Sequence, residues 1–488
     1  MKPNMIIFMT DHQRGDTILK NSKVITPNLD RFRSKAVTFQ NAYCPSPHCC
    51  PSRASFFTGL YPSEHGVWNN VEVSNTLSRG LFDNVHVFSE DLKKAGYNLY
   101  FSGKWHVSAE QGPDQFGFEP VFHNTAQYHK YPNLPDMDEW KLYTEGIRLI
   151  DKGDEERTEG RIVREGYEEY IQYGIDESPY KDAEVVNAAV QKLKSIDKEN
   201  PFFMFVGTLG PHDPYKVPQR FLDLYDIKDI TLPDNFYDYM EDKPSLYRRT
   251  KERYSQLSEA EHLESIRHFY AFCSYEDYLF GRIIDQVEEQ NLMENTLIMY
   301  VSDHGDYIGS HGLWAKGLPC FKEAYHVCSM IGGGPVADQG REENSLISLT
   351  DYAPTFLELA GIHSERKFPG KSLVPFIRNE RAEEWRTELY TQTNGNEAYG
   401  IQRSVFNKKW KYVFNAFDYD ELYDLEEDPQ ELTNLLHGIK NVKDSEYAKV
   451  IRDMCKKMWK FAYENKDNCV NSYIMTAFAP YGPGIIFE

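Results

Sequence analysis

Cys44-Pro45-Ser46-Pro47-His48-Cys49-Cys50-Pro51-Ser52-Arg53-Ala54-Ser55-Phe56-Phe57-Thr58-Gly59 decides how this chain reads. Two adjacent cysteines are followed by proline, a small residue and arginine. A thiol that only packs needs neither the proline nor the arginine, although packing is the ordinary fate of a single cysteine. Proline fixes a turn, and arginine sets a permanent cation near the sulfur. Cys49 and Cys50 compete for a chemical role. Cys49 begins the pattern Cys-x-Pro-x-Arg, and Cys50 stands one place later, directly before Pro51.

Around this stretch the chain repeats one unit: apolar run, polar loop, helix. Asn4 to Thr10 is a short apolar run ending at Asp11, and it reads as a buried parallel strand with an acid at its carboxyl end. His12, Gln13 and Arg14 follow at once. Thr26-Pro27-Asn28-Leu29-Asp30-Arg31-Phe32 opens a helix with proline in its first turn. Val37 to Tyr43 is a strand that delivers the cysteine loop, and the helix after that loop is expected from Ser55. Ser89 to Ala95 is a helix stopped by Gly96, and Asn98 to Ser102 is a strand leading into Gly103-Lys104-Trp105-His106. Residues 107–180 are polar, aromatic and weakly periodic. They read as long insertions able to wall a pocket, with aromatics around Tyr128–Tyr143 and Tyr167–Tyr180 suited to stacking sugar rings.

The unit then recurs. Ala183 to Ile196 is an amphipathic helix, and Pro201 to Thr208 is a strand ending at Gly210-Pro211-His212-Asp213-Pro214-Tyr215. Residues 216–258 are charged and aromatic, and Glu259 to Gln290 is a long helix. Thr296 to Val301 is a strand ending at Ser302-Asp303-His304-Gly305-Asp306. Leu346 to Ala360 starts as a short strand and ends as a helix closed by Gly361. This alternation predicts an α/β fold with a doubly wound, mostly parallel sheet sandwiched by helices. Past about residue 385 the pattern changes. Leu389–Thr393, Ala398–Ser404 and Lys411–Asn415 read as short strands, and Val450–Glu464 as a helix. The expected division is a catalytic domain over 1–384 and a small α+β subdomain, antiparallel sheet plus helix, over 385–488.

In a doubly wound sheet the loops at the carboxyl ends of the strands converge. Asp11, Cys49, Lys104, His106, His212, Asp303, His304 and Lys316 all fall in such loops. Each is a weak signal alone: a lone histidine is usually structural, and Lys316 by itself reads as a surface lysine. Together they describe one polar site.

Composition bounds the rest. The chain has 488 residues, 41% of them apolar, and a formal net charge of −21. That acidity argues against a general nucleic-acid binder, which carries a basic footprint. An anionic substrate stays open, because a few cations in a cleft set the local field. The eight cysteines, at 44, 49, 50, 273, 320, 328, 455 and 469, form no CxxC pair, so free thiols in a reducing compartment are the default. The first residues carry one lysine and an apolar run too short for a signal peptide. No stretch is long enough to span a bilayer. A cytoplasmic protein with no membrane partner is the expectation.

The motifs, in this order, resemble those of the type I sulfatases, a family that shares its fold with alkaline phosphatase. Cys49-x-Pro51-x-Arg53 with Ala54 to Gly59 resembles the signature in which cysteine is oxidised after translation to formylglycine, and its register selects Cys49 over Cys50. Thr26–Phe32 resembles the stretch before the nucleophile, Gly103–His106 the family's G-K-x-H, and Pro211–Tyr215 its P-H-x-P-[FY]. Asp303–Asp306, running to His311-Gly312-Leu313-Trp314-Ala315-Lys316-Gly317, resembles the second metal-binding stretch and its lysine. Thr350–Thr355 and Leu422–Pro429 resemble further shared segments. The likeness thins over 107–200 and 216–260.

The resemblance implies a sulfatase that hydrolyses a sulfate monoester, first of all a carbohydrate sulfate. It implies one divalent cation, usually calcium, held by Asp11, Asp303, His304 and the formylglycine oxygen at Cys49. The position of His12 is commonly Asp or Gln in the family. Neutral imidazole is an unusual calcium ligand, so His12 is open as a fourth protein ligand, as a tilt toward another metal, or as support, with Gln13 a weaker substitute. One hydroxyl of the hydrated aldehyde would attack sulfur with help from the metal and Asp303. Lys104, Lys316 and His212 would neutralise the sulfate oxygens, and His212 or Lys316 would protonate the leaving alcohol. His106 would take the proton of the second hydroxyl, and Arg53 would position the hydrate. Asn69 is a candidate for lining the substrate side. A formylglycine-generating or sulfatase-maturating enzyme is the implied partner. Rival readings are a phosphonate monoester or phosphodiester hydrolase, whose members tend to carry Tyr and Thr in place of Lys104 and His106, a choline-sulfatase-like enzyme, and a non-catalytic sulfoglycan-binding relative.

Overall fold

The apolar runs pair into one sheet because a strand buried on both faces needs partners on both edges. In the computed structural model, which describes residues 2–73, 75–123, 171–255 and 257–488, this sheet has eight strands. They are β1 (Asn4–Thr10), β2 (Ala36–Tyr43), β3 (Asn98–Gly103), β4 (Glu119–His123), β5 (Phe202–Gly207), β6 (Thr296–Ser302), β7 (Ser329–Gly333) and β8 (Arg341–Ser348). Their order is β4-β3-β5-β1-β6-β7-β2-β8, and every neighbouring pair is parallel except those made by β7, which runs antiparallel to β6 and β2. The mostly parallel, helix-covered sheet expected from the sequence is present.

β1 lies in the middle, and all of its residues are buried. Met5, Ile7 and Met9 enter one core and Ile6 and Phe8 the other, as the two-residue period of a strand requires. The first core packs under helices Cys49–Thr58, Phe88–Lys94 and Tyr352–Leu359. The second packs under Pro27–Arg33, Asp182–Lys194 and the long helix Glu259–Glu289.

Several local expectations change. The helix after the cysteine loop begins at Cys49 rather than Ser55 and ends at Gly59, a left-handed cap with φ +75°. Pro51 falls in its first turn, where an N–H has no helical acceptor, so proline starts this helix rather than extending the loop. β7 was not anticipated: Ser329–Gly333 is five residues ending in two glycines, a weak strand signal. β8 begins at Arg341, well before Leu346. It is an edge strand whose first half alternates between exposed and half-buried residues, so its charges hide it. β4 lies within the region read as insertion, pairs parallel to β3, and tolerates Pro120 because it too is an edge. The aromatic stretch 128–143, and 167–170 of the second, lie outside the described residues.

Near the carboxyl end, β9 (Leu389–Gly395), β10 (Tyr399–Phe406), β11 (Trp410–Asn415) and β12 (Glu421–Asp424) form a separate antiparallel sheet in the order β12-β11-β10-β9. The helix Ala448–Glu464 closes it, with Trp459 edge-on to Phe414 at 4.9 Å between ring centres. This sheet also holds the cysteine loop, since the Gln392 N–H donates to the Pro45 carbonyl at 2.8 Å. Arg386 forks onto the buried Asp351 at 2.6 and 2.7 Å, joining the two parts again. All eight cysteines are free and buried. No helix among the described residues is long and apolar enough to cross a membrane.

Candidate active site

The parallel strands end side by side, so their exit loops meet. Asp11 leaves β1 and donates its N–H to the Gly210 carbonyl at 3.1 Å, while the Asp303 N–H, after β6, donates to Thr10 O at 3.2 Å. These two bonds set both carboxylates beside each other with no exposure. Gly103, at the end of β3, has φ +98°, and a Cβ there would sit 2.0 Å from the Gly207 carbonyl. Only glycine lets β3 stay this close to β5 while turning out Lys104, whose N–H donates to Gly207 O at 2.9 Å.

Arg53 ties the two acids together from below. Its Nε donates to Asp303 Oδ2 at 2.8 Å, one terminal nitrogen to Asp11 Oδ2 at 3.2 Å, and the other to the Lys104 carbonyl at 3.0 Å. The guanidinium is wholly buried, so a planar fork with fixed charge suits it better than any lysine. Lys104 Nζ also donates to Asp11 Oδ2. Burial and Cys49 work against ionisation of Asp11, but Lys104 and Arg53 outweigh them and hold its carboxyl well below the usual range.

Cys49, at the head of its helix, points into this arrangement. Its Sγ lies 3.5 Å from Asp11 Oδ1, 3.2 Å from His304 Nε2 and 3.3 Å from Lys316 Nζ. Burial opposes the thiolate here, yet Lys104, Lys316 and His304 hold the Cys49 thiol well below its ordinary value. The neighbouring Cys50 turns away. Its thiol faces Glu72 Oε2 at 3.7 Å and accepts the Val71 N–H at 3.4 Å, and burial pushes it up to about 11. Adjacent cysteines thus occupy opposite electrostatic settings.

Lys316 Nζ reaches Cys49, His12 Nε2, and His212 Nε2 at 3.3 Å. His212 Nδ1 donates to the Asp213 carbonyl and lies 3.2 Å from Asp213 Oδ1. Burial and Lys316 lower its value, but Asp213 prevails and raises it to about 9. His106 Nε2 donates to Glu72, and its Nδ1 is buried without a hydrogen-bond partner. Burial lowers the His106 value, whereas Cys50 and Glu72 raise it well above the ordinary imidazole range. His12 and His106 both sit at positive φ, +65° and +54°, a left-handed backbone that non-glycine residues hold only when the surroundings demand it.

The loops therefore bring Asp11, His12, Cys49, Arg53, Lys104, His212, Asp303, His304 and Lys316 into one buried cluster, with His106 beside Cys50 and Glu72. Gln13 is turned aside: it donates to Thr17 Oγ1 at 3.0 Å and accepts from the Tyr300 hydroxyl at 2.6 Å. The buried Asn69 amide donates to Asn396 O at 3.3 Å and accepts the Leu77 N–H at 3.0 Å, so it braces the wall formed with the carboxyl-terminal sheet. Three site residues escaped the sequence reading. Asp213 and Asp306 were inside recognised motifs, so their position was their only signal. Glu72 lies in no motif and reaches His106 only through the fold.

The donor set suits a divalent cation. Asp11, Cys49, Asp303 and His304 present ligand atoms within 4.8 Å of one another, as do Asp11, His12, Cys49 and His212. The two groups share Asp11 and Cys49, and each combines carboxylate with imidazole, residue types that hold such an ion; His304 falls in the first and His12 in the second.

At its strand ends a mostly parallel α/β sheet carries buried acids, imidazoles and lysines, residue types that suit a divalent cation and an anionic ester. The sulfatase family model matches residues 3–362, and a model described as N-sulphoglucosamine sulphohydrolase, C-terminal, matches residues 309–464. The chain belongs to the sulfatase family and is a sulfuric ester hydrolase. It is 31% identical over 475 residues to the choline-sulfatase of Rhizobium meliloti (strain 1021), covering 94% of this chain and 87% of that protein. It is 24% identical over 542 residues to the N-acetylglucosamine-6-O-sulfatase of Bacteroides thetaiotaomicron, covering 96% and 87%. Its fold superposes on the phosphonate monoester hydrolase of Agrobacterium radiobacter with a TM-score of 0.75 at 21% identity, over 95% and 96% of the two chains.

Proposed function

We propose that this protein hydrolyses a carbohydrate sulfate monoester, using a formylglycine made from Cys49 and one divalent cation held by Asp11, His12, Asp303 and His304. The observation that carries the reading is the setting of Cys49. It is the first residue of a buried helix, within 3.5 Å of Asp11, His304 and Lys316, while Cys50 faces away. The helix start adds its positive end to that of the two lysines. The bound cation would polarise the sulfate and the nucleophile oxygen.

The chain's own residues do the rest. Arg53 bridges Asp11 and Asp303 and fixes both carboxylates beside each other, ready for the cation. Lys316, 3.3 Å from Cys49 Sγ, and Lys104, on Asp11, neutralise the sulfate oxygens as charge builds there. His212, kept protonated by Asp213, gives its Nε2 proton to the leaving alcohol, and Lys316 beside it is the second donor in reach. His106, its Nε2 donating to Glu72, is the base for the second hydroxyl, and it acts at Nδ1 from the neutral ring, after that nitrogen's own proton has left. The modifying partner is a formylglycine-generating or sulfatase-maturating enzyme. Residues 1–384 carry this chemistry, and 385–488 form the subdomain that braces the cysteine loop.

The sugar preference rests on the N-acetylglucosamine-6-O-sulfatase among the relatives. The choline-sulfatase relative makes choline sulfate the rival substrate, and the phosphonate hydrolase fold makes a phosphonate ester the second. The test is hydrolysis of sulfated glucosamines, choline sulfate and a phosphonate monoester by protein whose thiol-to-aldehyde conversion at Cys49 is verified by intact mass. Fastest turnover on a sulfated sugar supports the reading. Preference for choline sulfate replaces the substrate, and preference for the phosphonate replaces the reaction.

A further inference from the structure

The imidazole of His12 is held at both ends. Its Nδ1 lies 3.1 Å from Asp306 Oδ2 and 3.7 Å from Asp213 Oδ1, and its Nε2 meets the Lys316 ammonium. Asp306 Oδ2 accepts at Nδ1, which therefore carries the proton, and Nε2 is the nitrogen left to offer a lone pair. Asp306 is itself fixed: Oδ2 also accepts from the Tyr215 hydroxyl at 3.1 Å, and Oδ1 accepts the Ile308 N–H at 2.9 Å. His304 is set the same way, its Nδ1 donating to the Gly305 carbonyl at 2.8 Å. Both Nε2 atoms lie near Asp11 Oδ1, at 3.8 Å from His12 and 3.7 Å from His304, with His12 Nε2 facing Lys316 and His304 Nε2 facing Cys49 Sγ at 3.2 Å. Ligand atoms about 2.0–2.1 Å from a shared transition ion stand some 3.3 Å apart, a contraction of a few tenths of an ångström from what is found here.

Resting on the sulfatase reading above, we propose that Asp306 is a positioning residue that locks His12 as an Nε2 ligand, so that the site selects a first-row transition dication of the Mn2+–Zn2+ series over Ca2+. The physical reason lies in ligand type. Calcium takes six to eight oxygens in a flexible shell, and imidazole nitrogen is a poor member of it. Nitrogen donors follow the order that favours the later first-row metals. A carboxylate behind a ligating histidine is the usual device for orienting the ring and raising its basicity, and its loss typically costs about 10–100-fold in metal affinity. Most of the family's usual oxygen donors persist here, but two of the four protein ligands are nitrogens, and one of these is held by a buried Asp–Tyr network.

The test is competitive loading of chelated protein with equal Ca2+, Mg2+, Mn2+ and Zn2+, followed by metal analysis and by titration of each metal alone. The protein, with Cys49 converted, should retain about one transition ion per chain. His12→Gln should move retention toward Ca2+, and Asp306→Asn should weaken transition-metal binding about 10–100-fold while leaving Ca2+ binding little changed. Cobalt substitution gives a second readout: the visible absorption bands should shift in His12→Gln. A thermal melt of each metal-free variant separates lost affinity from lost folding, and Tyr215→Phe, which leaves Asp306 in place, should weaken binding by a smaller factor. Preferential loading of Ca2+, or unchanged affinity in Asp306→Asn, overturns this inference and leaves the sulfatase reading standing. Two ions per chain also overturn it, because a second ion between His12, Asp213 and Asp306 would take the Nδ1 proton's place. Full sulfatase activity with no bound metal would instead overturn the catalytic reading.

Discussion

Arg53→Met removes the one cation shared by both acids beneath the site while keeping an apolar stem of similar reach. Three bonds go: to Asp303 Oδ2 at 2.8 Å, to Asp11 Oδ2 at 3.2 Å and to the Lys104 carbonyl at 3.0 Å. Asp11 keeps Lys104, but Asp303 Oδ2 loses its charged donor inside a region with no exposure. Deleting one partner of a buried ion pair costs about 3–5 kcal/mol, and the double pairing puts this case at about 4–5 kcal/mol. An unfolding entropy of about 2.1 cal/mol/K per residue over 488 residues is about 1 kcal/mol per degree, so Tm should fall by about 4–5 °C. Calorimetry on chelated protein measures this. Saturating divalent metal should shrink the difference, because the ion then compensates the two carboxylates. Arg53→Lys should lie between, keeping the charge without the fork. A metal-free Arg53→Met protein melting within about 1 °C of wild type would refute the argument that this arginine balances two buried charges.

Cys49→Ala should abolish turnover with a normal melt, and Cys50→Ser, matched to wild type in formylglycine content, should keep most activity; steady-state kinetics reads both, and the reverse outcome would sink the assignment. His106→Ala should release one equivalent of alcohol and then stall, whereas Lys104→Ala should lower the rate with no burst; rapid-mixing assays on one sulfate ester distinguish them. The buried pair Asp182 and Glu276 predicts a pH effect on stability. Asp182 accepts the N–H groups of Leu209 and Gly210 at 2.7 and 3.0 Å in the loop that carries His212. Burial, with the charge of Asp11, pushes Asp182 up to about 7, and burial with the charge of Asp182 pushes Glu276 well above its ordinary value. A raised carboxyl value means stability that is complete below the unfolded value and lost as pH rises through the folded one. Wild-type Tm should therefore fall from about pH 4 through about pH 7, and Glu276→Gln should flatten that fall; parallel profiles would show that the pair does not titrate there.

Much of the site was legible because a parallel sheet converts order along the chain into convergence in space. Once Asn4–Thr10, Pro201–Thr208 and Thr296–Val301 read as strands, Asp11, His212 and Asp303 had to emerge on one edge. The side-by-side cysteines were separable by register, and their surroundings differ in the same sense, one thiol among cations and the other against Glu72. Weakly patterned elements were not legible. β7 is too short and glycine-rich, β8 hides its strand character behind edge charges, and the helix start at Cys49 depends on Pro51 settling in a first turn that only the packed loop defines. Asn69 carried no local mark of its partner Asn396, more than three hundred residues away.

The sequence by itself determined the class of chain, the sheet, and which loops carry the polar residues, because hydrophobic period and turn chemistry are local properties. The tertiary structure alone decided the partners: Arg53 between two acids, Glu72 behind His106, and Asp306 behind His12. Such pairings depend on distances between atoms far apart in sequence, and no local pattern encodes them. In a buried, low-dielectric pocket those distances set which groups hold protons and which offer lone pairs, and so they decide the chemistry the loops can perform.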